Sequence, residues 1–246
     1  MDRTVSIDRR FCGPKNSGNG GYVCGLLAED IGGPARAKLT VPPPLEKELK
    51  IRTEGDNRYL VDDDRVIGEA SPANVSVEIP TLPEQPQFGA AREVFLASAP
   101  SHPLPYCFVC GPNRDDGDGL RIFSGPVDGS PVNADIWTPT SDLADDQGLV
   151  APRYIWSALD CPTSFSLRLP EGSFFLLGTL AVDIYFRPPH SEPLKVIAWP
   201  TGSDGRKHFA DGALVNFAGD VVAVANSVWI EIQDPKIIEK FRSENE

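Results

Sequence analysis

Asp160 closes an apolar run, Tyr154-Ile155-Trp156-Ser157-Ala158-Leu159, which follows the polar loop Asp145-Asp146-Gln147-Gly148 and Pro152. Proline is tolerated at the first helical position, where its missing N–H would be unbonded anyway, so the run reads as a helix entering a core. A carboxylate carried into a core must be paired, hydrogen-bonded or shifted in pKa, and such a group is equipped for general-base or nucleophilic chemistry. Asp160 is therefore the lead candidate for catalysis. Its structural alternative is a cap, because Cys161-Pro162-Thr163 behind it suits the start of a turn or helix. Ser164, four residues on, is placed to orient a water molecule, although Pro162 distorts any helix between the two.

Three other groups invite the same question. Asn19-Gly20-Gly21 precedes the short apolar helix Tyr22 to Asp30. It is either a tight loop or a helix start whose free N–H groups face an anion, with glycines that permit close approach. Arg206-Lys207-His208, between Gly205 and Phe209, is the densest basic cluster after residue 100, and reads as a solvated turn or as a contact for substrate phosphates. The third group is sulfur. Cys12, Cys24, Cys107, Cys110 and Cys161 are odd in number and read as reduced, buried, small apolar groups. Cys107-Phe108-Val109-Cys110 is half of a zinc motif with no second C-x-x-C or H-x-x-x-H to complete it, so no metal and no cofactor is expected. A Ser-His-Asp triad finds few bases, since His102 and His190 sit beside prolines and no Gly-x-Ser-x-Gly elbow occurs.

The totals narrow the partners. A net charge of -12 and a pI near 4.7 argue against nucleic acid, whose binding needs clustered Lys and Arg. An apolar share of 41% with 12 Phe, 4 Trp and 5 Tyr is enough for a packed core, so the bulk of the chain is not disordered. The first ten residues lack the apolar run of a signal peptide, and no stretch is long enough to span a bilayer, which predicts a cytoplasmic chain with no membrane partner.

The elements that must position these residues recur. A strand over 4–11 ending in Phe11-Cys12-Gly13-Pro14, the helix, a strand from Ala35 to Val41 stopped by three prolines, and strands Glu48 to Glu54, Tyr59 to Asp62 and Arg65 to Ser71 make one set. Prolines 80, 83, 86, 100, 103 and 105 mark a connector. Then Val109-Cys110-Gly111-Pro112 echoes Phe11-Cys12-Gly13-Pro14, strands are expected over Gly119 to Phe123 and Val132 to Trp137, and Leu180 to Pro189 parallels Ala37 to Pro43. Gly219 to Ala225 parallels Asp64 to Ala70. Three echoes in one order indicate a tandem repeat. The expected domains are 1–80 and 106–246, joined by a connector over 81–105.

This order, with Leu177-Gly178-Thr179 through Arg187-Pro188-Pro189 and Cys110-Gly111-Pro112-Asn113 before Gly119-Leu120, resembles the hotdog-fold acyl-CoA thioesterases, the second half being similar to phenylacetyl-CoA-type thioesterase domains. The resemblance implies an α+β double hotdog, two antiparallel sheets each wrapped around one central helix as a pseudo-dimer, capable of further pairing into a homo-oligomer. In such relatives a His-Gly-Gly-like tripeptide starts the helix and an acid follows about seven residues later. The match is Asn19-Gly20-Gly21 with Ala28 in the first half and Ala151-Pro152-Arg153 with Asp160 in the second. The resemblance therefore implies one composite site, with Asn19, Gly20 and Gly21 against Asp160, that hydrolyses an acyl-CoA thioester. Hydratases of this fold pair the Asp with a His five residues on, where this chain has Phe165. A non-catalytic acyl-CoA-binding protein is the alternative, because each half has lost part of the pattern.

Overall fold

Alternation writes the strands. Over Glu48–Glu54, Leu49 and Ile51 are buried while Glu48, Lys50 and Arg52 face water, so one face of the sheet is dry. The computed structural model describes residues 2–167 and 174–245. In chain order it contains β1 (Arg3–Ser6), α1 (Gly20–Ala28), β2 (Ala35–Leu39), β3 (Glu48–Glu54), β4 (Asn57–Asp62), β5 (Arg65–Pro72) and α2 (Gln85–Ala97). There follow β6 (Gly125–Pro126), β7 (Asn133–Trp137), α3 (Pro152–Ala158), α4 (Cys161–Ser166), β8 (Phe175–Ile184), β9 (Leu194–Asp204), β10 (Lys207–Asn216), β11 (Val221–Glu231) and α5 (Pro235–Asn245).

Where the resemblance implies two sheets, the described residues form one, an antiparallel sheet of 11 strands ordered β1-β3-β4-β5-β2-β8-β11-β10-β9-β7-β6. The join is β2 against β8, Ala35 opposite Val182 through Lys38 opposite Thr179. Two separate sheets would each expose a row of unpaired N–H and C=O groups there, and pairing removes both edges. The order β1-β3-β4-β5-β2 on one side matches β7-β9-β10-β11-β8 on the other. In both, helix sits in the connection between the outermost of these five strands and the strand at the join: α1 between β1 and β2, α3 and α4 between β7 and β8.

Three local expectations are corrected. The first strand ends at Ser6, because the Asp8 side chain accepts from Arg10 N and turns Arg9–Phe11 into a 3-10 helix. Residues 119–123 form no regular strand. Leu120 N and Ile122 N donate to Phe108 and Val109 carbonyls, an irregular partner that cannot extend a ladder, and Arg121 holds a left-handed φ of 51°. The proline-rich connector carries a 13-residue helix, α2, whose Pro86 lies in the first turn, where proline fits. A capping box joins Glu84 and Gln87, and Phe88, Ala91 and Phe95 form its buried stripe.

α1 is buried on every side from Gly21 to Ala28, as an all-apolar helix must be. It meets α3 antiparallel: Gly21 faces Ser157 and Asp160, and Gly25 faces Arg153 and Trp156. A Cβ at Gly25 would lie 2.6 Å from Arg153 Cα, a backbone atom that cannot swing away. Gly25→Ala should therefore force the helices apart and lower stability by about 2 kcal/mol or more, read as a lower urea midpoint. Gly32→Ala, which would meet no atom within 4 Å, should leave the midpoint nearly unchanged.

Candidate active site

The start of α1 is a capped helix with one donor left over. Asn19 occupies the N-cap with extended backbone, and its Oδ1 accepts from Tyr22 N at 2.9 Å. Val23 N reaches Asn19 O at 3.0 Å. Gly21 N donates to Asp160 Oδ2 at 2.9 Å, and Asn19 Nδ2 donates to the same oxygen at 2.9 Å. Among the described residues, the Gly20 N–H is the first-turn amide with no protein acceptor. A Cβ on Gly20 would sit 3.6 Å from Asp160 Oδ2, so the free amide belongs to the same small volume as the carboxylate.

Asp160 reaches that volume because the helix breaks beneath it. The sequence predicts one segment running to Asp160; the structure ends α3 at Ala158 and restarts as α4 at Cys161, with Asp160 between at ψ −85°, outside the helical well. Pro162 in the first turn of α4 is compatible with a helix start and not with a continuous helix. Asp160 stands at the N-cap position of α4 but makes no side-chain cap bond to it; its carboxylate turns across to α1. The position at the positive end of α1 favours a negative charge. At 2% exposure, however, burial dominates and pushes the carboxyl up to about 7, opposed by the Gly21 N–H and the Asn19 amide and assisted by Cys107. Oδ1 is buried and has no hydrogen-bond partner. The arrangement is a poised acid beside an unused backbone donor, suited to taking a proton or attacking a carbonyl whose oxygen the donor holds.

The remaining expected residues fall elsewhere. Ser164 is half-buried in α4, and the hydroxyl that bonds Asp160 is that of Thr163, whose Oγ1 donates to the Asp160 carbonyl at 2.7 Å and accepts from Trp229 Nε1 at 2.9 Å. This pair fixes α4 to β11. Arg206, Lys207 and His208 form the tip of the β9–β10 hairpin, roughly 13 Å along β10 from Gly212, the point that packs on Thr163. Arg206 and Lys207 are exposed, while His208 Nε2 lies 3.7 Å from Glu231 Oε2. At the opposite end of the helix pair, Ala28 and Pro152 offer neither acid nor donor, and Glu29 Oε1 meets Arg153 Nη1 at 2.6 Å.

Leu177 was not readable as a site residue. Its Cδ2 lies 2.8 Å from where a Gly20 Cβ would be, beside the free amide, and its place in Leu177-Gly178-Thr179 marks it only as part of a strand. Nor was Cys161, whose Sγ lies 3.7 Å from Cys107 Sγ although the two are far apart in the chain. A surface cleft of about 280 Å³, lined by Arg92, Arg121, Asp135, Trp137 and Thr140 among others, includes no residue of the Asp160 site. No helix among the described residues is long and apolar enough to cross a membrane.

Asn19 serves α1 and Asp160 at once, and that predicts a cost larger than a cap. Asn19→Ala should lose about 1 kcal/mol of capping and a further ~1–3 kcal/mol from the under-satisfied buried carboxylate, measured by denaturant unfolding. Asn19→Asp keeps a capping oxygen but faces one carboxylate with another, so at pH 8 it should be less stable than the Ala variant.

No protein-family model matches the chain, and no curated protein matches its sequence. Solved structures do. The tesB protein of Mycobacterium avium subs paratuberculosis is 15% identical, with a TM-score of 0.59 over 94% of this chain and 93% of that one. The acyl-CoA thioesterase II TesB2 of Mycobacterium marinum is 12% identical, with a TM-score of 0.59 over 96% and 94%. A conserved protein of unknown function with hot dog fold from Alicyclobacillus acidocaldarius is 13% identical, with a TM-score of 0.55 over 95% and 94%. At these identities the likeness speaks to architecture, and the architecture it establishes for this chain is the hotdog fold.

Proposed function

We propose that the chain is an acyl-CoA thioesterase made of two fused hotdog units, 1–80 and 106–246 with a connector over 81–105, and that it hydrolyses its substrate at one composite site between α1 and α3. The matching strand orders on either side of the β2–β8 join support the fused pair. The observation that carries the activity is Asp160 Oδ2 held by Asn19 and Gly21 beside the free Gly20 N–H. In this reading the Gly20 amide holds the thioester oxygen as it gains charge, a donor worth about 3 kcal/mol of barrier in acyl transfer. Asp160 takes the proton of an attacking water and returns it to the departing CoA thiolate; attack by Asp160 itself would break the C–S bond, release CoA as its thiolate and leave a mixed anhydride that water then opens to the free acid and the Asp160 carboxylate. Of the two donors the sequence offers, Gly20 and Gly21, this reading takes Gly20, since Gly21 N is already committed to Asp160. Ser164 stays a candidate for placing the water, and Arg206, Lys207 and His208 for contacting CoA phosphates at the end of β10.

A second reading, an acyl-CoA-binding protein without turnover, is favoured by one observation. Asp160 and Asn19 are each 2% exposed, and Leu177 lies beside Gly20. CoA release from short, medium, long and aromatic acyl-CoAs separates the two. Wild type should turn over at least one class, and Asp160→Asn, whose amide oxygen can still accept from Gly21 and Asn19, should keep its unfolding midpoint while losing about a hundredfold or more in rate. A variant that keeps its rate removes Asp160 from the chemistry. Acyl-CoA binding without turnover in wild type establishes the binding protein.

A further inference from the structure

Cys107, Cys110 and Cys161 bring three buried sulfur atoms within 4.8 Å of one another, beside Asn19 and Asp160. The Cys107 and Cys161 sulfurs are 3.7 Å apart. Tetrahedral zinc, with Zn–S bonds of ~2.3 Å, places its sulfurs ~3.8 Å from each other, whereas a disulfide needs ~2.0 Å. The Cys107–Cys161 spacing is thus that of two ligands of one ion and not of a bond.

The backbone around it is shaped accordingly. Cys107-Phe108-Val109-Cys110-Gly111 folds into a tight knuckle in which Gly111 N donates to Cys107 O at 2.9 Å. A Cβ at position 111 would lie 2.6 Å from both Cys107 N and Cys107 O, so only glycine fits. Asn19 Nδ2 is a donor 3.8 Å from Cys107 Sγ and 3.9 Å from Cys161 Sγ. An amide donor beside the sulfurs suits a thiolate cluster, because three thiolates and a divalent ion still carry one net negative charge in a dry interior.

We infer that Cys107, Cys110 and Cys161 form a three-thiolate binding site for a zinc-class divalent cation. Thiolate ligands select zinc over calcium, magnesium or manganese. Among the described residues no fourth Cys, His, Asp or Glu joins the trio, so the fourth coordination position falls to an exogenous ligand such as water. Asp160 Oδ1, next to Cys161 in the chain, is buried and lacks a hydrogen-bond donor, and a metal-bound water is a donor of the kind it lacks. The site stands whether or not the chain hydrolyses thioesters.

The test is metal content, measured by mass spectrometry on full-length protein purified without chelators and without a histidine tag. About one zinc per chain is expected for wild type and for Cys24→Ala, a buried cysteine outside the trio, and less than about a tenth for Cys110→Ser and Cys161→Ser. Wild-type protein stripped of metal and titrated with cobalt(II) should develop the thiolate-to-cobalt charge-transfer band and the visible bands of tetrahedral cobalt. Wild-type protein that is zinc-free as isolated and shows no such bands overturns the assignment, a result independent of whether the serine variants fold. Zinc retained in full by both serine variants overturns it as well.

Discussion

A carboxylate removed from water needs donors, and in this chain two of its donors come from a helix that belongs to the other half of the sheet. Asp160 ends the approach of α3 to α1, and its bonds to Gly21 N and Asn19 Nδ2 exist only because the two helices touch backbone to backbone through Gly21 and Gly25. Any side chain at those glycines would separate the acid from its donors by more than the hydrogen bonds tolerate. The close crossing in turn demands that both helices hang from one continuous sheet, which the β2–β8 ladder supplies. Site, helix contact and sheet are one dependency.

Much of this was legible in the chain and some was not, for physical reasons that differ by element. Strands such as β3 declare themselves because alternation is local, and α1 because its apolar run starts behind Asn19-Gly20-Gly21 and is closed by Gly32-Gly33-Pro34. Asp160 and Asn19-Gly20-Gly21 stand out as a lone acid and a glycine pair at a helix start, and the structure brings Asp160, Asn19 and Gly21 into contact. The break between α3 and α4 was hidden because Pro162 permits either a distortion or a fresh start, and packing decides. α2 was masked by the prolines around it, though only Pro86 lies inside and at a tolerated position. The single sheet could not be read at all, since edge pairing leaves no trace in either strand's own pattern. Cys161 and Leu177 join their neighbours only through long-range packing.

Polar atoms in this core are economically shared. Asn19 caps α1 with one atom and, with the other, faces both Asp160 and two sulfurs. Thr163 ties the Asp160 main chain to Trp229 on β11, so α4 cannot shift without moving the acid. Such multiply engaged groups make a region rigid and make single substitutions non-additive, because each removal leaves several partners unsatisfied.

The two ends of the α1–α3 pair have different contents. One end holds Asp160 with its donors; the other holds the Glu29–Arg153 ion pair, extended by Arg3 to Glu29 and Asp30. A symmetric dimer of identical chains would have to put the same residues at both ends, so a sequence good for reactivity would have to serve equally for cohesion. Covalent linkage lifts that constraint. Each end can drift under its own demands, and a chemically costly buried acid at one end can coexist with a clamp at the other that holds the crossing closed.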